Sequence, residues 1–481
     1  MNRHLKNIKY FVLNGRNRVT IRPDKCFAYA TAQRNGKYQQ IKPSLSVNGN
    51  DIPTIEIGSS MTYLGQHFSF ASDSDLAKAA LTCATKEAIN SVHQLPITPL
   101  LKCHALNLKL RAALSFLLSH NSISLTWIKL NLDNLVTIRI RQWLDLPPCA
   151  TAHYIPLPTK CLGLDALLPS MLSELRLTSS SLILAHSKGP KIKNLYQVRG
   201  CYKSDLRFDA TKPKKEVMKS VKKRQLDSLS AKLDSLQVQP ILMQALRSAL
   251  PGRELEAWGK HISLITPSVA NFARKALIRC LSTNKNLFCW GKSTTDSCPQ
   301  CKNLETENHV LNNCSVSAMQ GRYTWRHNAV LRLLAYMIQA SLLPGDKLYV
   351  DLPGYHDPNE IFNNIRPDIT VSHNNRLFIL ELTCCYEKNF ETSKNYKLEK
   401  YKQLSLHTKQ NIPTEVYTVE ISSLGFVNDC SLNKFCKCLN ICAISQHNIR
   451  RLGEISLRCS YFIFCCRHKP WPSDAIEPVV F

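Results

Sequence analysis

Short apolar runs alternate with polar residues at the start of the chain. Between residues 1 and 75 they are punctuated by Asn35-Gly36, Asn48-Gly49 and Ile57-Gly58, which predicts strands joined by tight turns. From about residue 76 to 190 the period lengthens. LNLKLRAALSFLL and WIKLNLDNLVTIRIRQWLDLPP carry apolar residues at spacings of three and four, and Pro147-Pro148 stops the second. Residues 188–230 are polar and basic, as in a linker or an exposed helix. The helical period returns over 231–290 and again from Trp325 to Leu343. Strand and helix patterns mix over 347–445, and the Cys-rich remainder is poorly patterned. There is no internal repeat. The chain therefore reads as a multidomain α+β protein.

One stretch fixes a register. In RPDITVSHNNRLFILELTCCYE, from Arg366 to Glu387, two strand patterns flank Asn374-Asn375. Asparagine tolerates the positive φ of a two-residue hairpin loop. With that loop His373 pairs with Arg376, and counting outward sets Asp368 opposite Glu381. Opposed residues share a face with Cβ atoms roughly 5 Å apart. Glu381 interrupts an otherwise apolar run, so two like charges would be buried together, and a bound Mg²⁺ or Mn²⁺ would account for them. The alternative is a longer loop, a slipped register and a solvent-facing Glu381.

The following segment, ETSKNYKLEKYKQLSL, reads as a helix with Lys397, Tyr401 and Leu404 on one face. If that face packs inward, Lys397 approaches the sheet. Lys400 lies about 100° round the helix, beside Tyr396, and is the second choice. Two acids and a lysine are the parts needed to hydrolyse a phosphodiester: the acids hold a metal, and the lysine orients the nucleophile or offsets phosphate charge. The plain alternative for both lysines is a solvated basic helix.

A second constellation lies upstream. Cys298, Cys301, His309 and Cys314 are separated by two, seven and four residues. A C-x2-C turn aims two thiolates at one point, and four soft or borderline donors without a carboxylate suit a closed, tetrahedral, structural Zn²⁺ site. The alternative is four unrelated buried residues. Gly291-Lys292-Ser293-Thr294 imitates the end of a phosphate-binding loop, but Asn286 stands where that loop needs glycine, which excludes it. Cys436, Cys438, Cys442 and His447 offer another metal cluster, against a core helix face of Phe435, Leu439 and Cys442. Glu360 reads as a surface acid and Cys384-Cys385 as buried.

Composition sharpens the picture. The net charge is +27, from 62 Lys plus Arg against 35 Asp plus Glu. Such an excess repels itself in a compact fold and becomes useful beside a polyanion, so nucleic acid leads an anionic membrane surface as partner. No apolar run is long enough to span a membrane, and MNRHLKNIKY lacks the apolar core of a signal peptide. The 20 cysteines read as reduced thiols, some binding metal. The run Lys212 to Arg224 suits nuclear import, or simply a solvated helix face or linker.

These motifs in this order resemble the C-terminal half of the polyprotein of non-long-terminal-repeat retrotransposons with a restriction-like endonuclease, the site-specific, ribosomal-DNA-inserting type and its relatives. The resemblance rests on the knuckle of Cys298, Cys301, His309 and Cys314, then Arg326-His327-Asn328, Pro367-Asp368, Glu381, Lys397 and Lys400-Tyr401. Upstream, IRPDKC (Ile21 to Cys26) and MTYLG (Met61 to Gly65) resemble the last palm strands and primer grip of a reverse transcriptase. LDNLVTIRIRQWLDLPP and KCLGLDAL resemble its thumb and the segment after it, with Lys160-Cys161 where the family often has paired glycines.

The resemblance implies six regions: a palm remnant (1–75), a helical thumb (76–190), a basic linker with helices (191–290), the knuckle and Arg-His-Asn helix (291–335), an α/β restriction-like nuclease with a mixed sheet (336–445) and a terminal segment (446–481). It implies catalysis by Asp368, Glu381 and Lys397 or Lys400 with Mg²⁺ or Mn²⁺. Arg326, His327, Asn328 and Tyr401 would contact nucleic acid or support the nuclease. Target DNA and element RNA are the implied partners and the nucleus the site of action. No membrane is involved. Restriction-type nucleases place the lysine two residues after the second acid, where this chain has Thr383, and the family's variant moves it to the next helix. No adjacent Asp-Asp occurs in the 481 residues. The expectation is therefore a truncated element whose catalytic palm is missing. It would nick target DNA for target-primed reverse transcription without polymerising, or persist as an inactive zinc-dependent nucleic-acid-binding relic.

Overall fold

The computed structural model describes residues 26–28, 30–47, 49–56, 59, 61–63, 66–68, 74–120, 123–190, 192, 208–209, 211–363, 365–401 and 412–471. The expectations for residues 21–25, the Ile57-Gly58 turn, Leu64-Gly65 and Leu404 lie outside these. The chain is mixed α+β and divides into two compact units.

The first unit comprises residues 1–88, 109–133 and 169–210. Strands β1 (Ala30–Arg34) and β2 (Lys37–Ile41) pair antiparallel around Asn35-Gly36, whose φ angles are +49° and +73°. Strands β3 (Ser46–Val47) and β4 (Asn50–Asp51) turn at Gly49, and β5 (Met61–Tyr63) pairs with β6 (Gln66–Phe68). The helix Pro169–Ala185 opens on Ser170, whose N–H and hydroxyl both donate to buried Asp133. A carboxylate there meets the unsatisfied amides of a helix start.

The second unit comprises residues 89–108, 134–168 and 211–481 and holds a five-stranded mixed sheet. Its strands are β7 (Lys347–Val350), β8 (Ile369–His373), β9 (Arg376–Cys385), β10 (Thr414–Ser422) and β11 (Val427–Asn428), in the order β11-β10-β9-β8-β7. The β9–β10 pair is parallel and the others are antiparallel. A parallel pair needs a crossover, and the helix Phe390–Lys400 lies within it.

Two apolar clusters sandwich the sheet. Phe378, Leu380 and Leu382 face the larger one, with residues of helices Arg322–Gln339, Cys430–Cys438 and Gln446–Cys465. Leu377 and Ile379 face a smaller one with Phe362 and Tyr401. Strand periodicity puts Glu381 on that second face.

The last helix, Gln446–Cys465, departs from the poorly patterned terminus expected. Its buried stripe of Leu452, Gly453, Ser456, Leu457, Cys459, Ser460 and Ile463 is partly built of small residues that read as polar. A Cβ on Gly453 would lie 2.2 Å from Gly425 O, so the helix backbone sits directly on the turn between β10 and β11. Trp258, on helix Gly252–Ile262, supports the same turn by donating from Nε1 to Leu424 O at 2.7 Å and stacking on Phe426. The basic run ending at Arg224 falls largely on helix Lys214–Asp234. Val217, Val221 and Gln225 are buried there, while Lys215, Lys219, Lys222 and Lys223 are exposed.

Candidate active site and metal centre

The hairpin has the predicted register. Asn374 and Asn375 have φ of +50° and +57°, as a two-residue primed turn requires, and His373 pairs with Arg376 through to Ile369 with Leu380. Asp368, one step beyond, donates its N–H to Glu381 Oε1 at 3.0 Å, and Leu382 N–H returns a bond to Asp368 Oδ2 at 2.9 Å. Glu381 is 0% exposed and Asp368 8%.

Lys397 reaches this pair from the crossover helix. Its Nζ lies 2.6 Å from Glu381 Oε2 and 3.5 Å from Asp368 Oδ2. Lys400 does not: it is exposed, with its ammonium 4.9 Å from the centre of the Tyr401 ring. Tyr401 is buried, its phenol hydrogen bonds to Glu381, and burial with that carboxylate pushes its pKa up. It packs inside the site, away from the solvent-facing role of a nucleic-acid contact. Thr383 is the next residue after Glu381 on the same strand face, and the lysine at the acid pair comes instead from the crossover helix.

The charges are uneven. Burial and the neighbouring Asp368 charge raise the Glu381 pKa, with Lys397 opposing. Burial also pushes Asp368 upward, but His327, Lys397 and the Leu382 N–H together hold it below the usual carboxylate range. Burial works against the Lys397 ammonium, yet the two acids raise its pKa. The site favours one carboxylate and one ammonium firmly charged, and a second carboxyl that gives up its proton reluctantly.

His327 belongs here as well. Its Nε2 lies 3.4 Å from Asp368 Oδ1 and 3.3 Å from Leu382 O, and its Nδ1 lies 3.2 Å from Asn328 Oδ1. Burial would lower its pKa, but Asp368 raises it overall. The sequence contained the signal, Arg326-His327-Asn328, without the contact. Arg326 is different. It is 1% exposed and spans Asn312 Oδ1 at 2.8 Å, Ser460 Oγ at 2.9 Å and Ser423 Oγ at 3.4 Å. A guanidinium held this way cannot also meet a phosphate, so Arg326 is an internal strut rather than a nucleic-acid contact.

The Cys/His segment forms the second centre. Sγ of Cys298, Cys301 and Cys314 and a ring nitrogen of His309 all lie within 4.8 Å of one another and could hold a metal ion. Cys301 and Cys314 sulfurs are 3.8 Å apart, the separation of about 3.8 Å expected for two thiolates at 2.3 Å from tetrahedral zinc. His309 presents Nε2 to Cys301 Sγ at 3.2 Å. Local hydrogen bonds shape the turn: Cys298 N–H donates to Asn303 O, and Tyr323 OH accepts from Cys314 N–H while donating to Val310 O. Burial pushes the Cys298 thiol up to about 11, so binding a metal there displaces a proton.

The remaining candidates separate. Cys438, Cys442 and His447 are exposed while Phe435, Cys436 and Leu439 are buried, and among the described residues only the Cys298–Cys314 group could hold a metal by this criterion. Cys442 lies beyond the helix Cys430–Cys438 and is not part of its core face. Glu360 closes a capping box with Asp357. Sequence reasoning missed two buried acids, Glu307 and Glu387; burial, and then the Glu387 charge, push the Glu307 pKa up. Neither Glu307 oxygen is hydrogen bonded, and Glu387 accepts from Leu424 N–H at 2.8 Å. No protein-family model and no curated protein matches this chain.

Proposed function

We propose that this chain is a metal-dependent DNA endonuclease of the restriction-like kind that site-specific non-LTR retrotransposons use to nick their target. The observation carrying this reading is a single one. Two buried carboxylates from adjacent strands share the ammonium of Lys397, in a protein with a large excess of positive charge. Like charges are not buried together without partners; Lys397 and His327 face this pair, and a divalent cation would complete the neutralisation when a phosphate enters.

Asp368 and Glu381 would hold Mg²⁺ or Mn²⁺. That ion would supply charge neutralisation and a water made acidic enough to attack phosphorus. Lys397, kept protonated by its neighbours, donates rather than accepts. It orients the attacking water or stabilises charge on the phosphoryl oxygens. Tyr401 limits the rotation of Glu381. The Cys298–Cys301–His309–Cys314 centre leaves no open ligand position if it takes zinc, so its role is structural. With the exposed lysines of helix Lys214–Asp234 it would grip the backbone of target DNA or element RNA, the nucleus being the proposed site of action. Among the described residues no helix is long and apolar enough to cross a membrane.

The test is nicking of supercoiled plasmid by the purified chain in Mg²⁺ or Mn²⁺, beside Asp368→Asn. The proposal expects open circles from the parent, none in EDTA, and at least a hundredfold less from the variant. Equal nicking by both would mark a contaminant. Retarded but uncut plasmid would replace the endonuclease with an inactive binding protein.

A further inference from the structure

A half-open recess in the second unit is built around an unpaired cation. Thr98, Leu100, Pro267, Asn271 and Arg274 are among its walls. Arg274 is only 6% exposed. Other buried arginines are tied down: Arg322 donates to Cys466 O at 2.8 Å and Lys469 O at 2.9 Å, and Arg326 to Asn312 and Ser460. Arg274 makes no hydrogen bond and no ion pair among the described residues. Its nitrogens are not sealed off, and the recess it lines is their way out. The ionisable groups acting on it are Tyr154 and Cys103. Burial pushes the Cys103 thiol up to about 12 and the Tyr154 phenol up as well, so both stay neutral. A guanidinium keeps its proton inside a protein, so its charge stands uncompensated.

Two helix starts border the same recess. Thr98 precedes helix Pro99–His120, and Thr266 precedes helix Pro267–Leu277. Thr98 Oγ1 is buried without a partner, and Thr266 makes no side-chain cap. The first amides of both helices thus lack the hydroxyl acceptor that usually meets them, and both dipoles present their positive ends. Pro267, Asn271 and Arg274 lie on one helix face, and Arg274 leans back toward the helix start. A water could accept from these donors but could not offset the charge. An anionic oxygen does both. The recess has room for about one oxygen-sized atom, roughly 10 Å³. That is too little to enclose a whole phosphate. A phosphodiester can set one non-bridging oxygen inside and leave its sugars outside.

We propose that Arg274 and the starts of helices Pro99–His120 and Pro267–Leu277 form a phosphate-binding site that takes one phosphate of a nucleic-acid backbone. The net charge of +27 makes a polyanion the natural source of that phosphate. The contact is separate from cleavage at Asp368 and Glu381 and does not depend on it.

The experiment measures binding without cleavage. The full chain, its Cys/His centre loaded with zinc, is titrated into a fluorescent DNA duplex without Mg²⁺ or Mn²⁺, and anisotropy is read over a salt series. Thermal melts of the free protein run beside it. Arg274→Met should weaken binding about tenfold and lower the slope of log Kd against log salt by about one. Its melting temperature should hold or rise, because an unpaired buried charge has been removed. Asn271→Asp supplies a carboxylate one turn from Arg274. It should also weaken binding while raising the melting temperature, and it decides the matter if Arg274→Met fails to fold or melts early. Affinity and slope unchanged in Asn271→Asp, or a lower melting temperature with unchanged affinity in Arg274→Met, would make Arg274 a packing residue and overturn the site. If inorganic phosphate raises the melting temperature of the wild type alone while DNA affinity ignores both variants, the ligand is a small phosphate and the backbone assignment falls.

Discussion

Glu381 shows how much one residue can carry. It breaks an apolar strand run, and the structure buries it completely against Asp368 N–H and Lys397. Its place was legible because Asn374-Asn375 fixes the hairpin and period two does the rest. Lys397 was legible only as one of two choices, since the face of an isolated helix that turns inward depends on packing. Glu387 was not legible, because nothing local marks it as buried opposite Glu307. It carries a testable consequence. Burial raises its pKa to about 7 from the ordinary 4.5. The folded chain keeps a proton that the unfolded chain loses, so this group's contribution to stability falls as pH rises from about 4.5 to about 7. Glu387→Gln retains the acceptor for Leu424 N–H. Urea midpoints measured across that window should decline less steeply for the variant than for the wild type.

At the scale of elements, the hairpin Ile369–Cys385 and its partner helix followed from pattern, and the helix Gln446–Cys465 did not. The reason is chemical. Its buried face uses Gly453, Ser456, Cys459 and Ser460, which permit close approach to the β10–β11 turn but carry no strong hydrophobic signature. This packing sets a contest between two known effects. Alanine is favoured over glycine inside a helix by about 1 kcal/mol. A methyl at residue 453 would meet Gly425 O at 2.2 Å, and overpacking of this kind costs roughly 1–3 kcal/mol. The contact should win, because Gly425 at φ +81° is itself backbone-constrained. Gly453→Ala is therefore expected to lower the melting temperature, and calorimetry would show it.

Within the second unit, the two centres are mechanically joined. Asn312 lies in the Cys/His segment, Arg326 and His327 are neighbours on one helix, and His327 touches the acid pair. Glu305, also in that segment, accepts from Asn284 N–H at 2.9 Å and meets His468 at 2.6 Å beyond the last helix. Cys314→Ser should therefore remove several kcal/mol of stability where zinc is bound. Nicking should fall with it, although no member of the metal-binding acid pair is changed. Thermal melts and nicking rates measured with and without a zinc chelator check both effects. These ties were invisible in the sequence, because they join polar side chains 14 to 163 residues apart with no local pattern to mark them.

The claim at the centre of this account is that Asp368, Glu381 and Lys397 form one hydrolytic site. The most direct test compares single-turnover nicking by the wild type, Lys397→Met and Lys400→Met in Mg²⁺. Losing the donor at the acid pair should slow cleavage about 10²–10³-fold, whereas Lys400→Met, on the solvent side, should change it no more than a few-fold. Equal losses in the two variants, or an unaffected Lys397→Met, would contradict it.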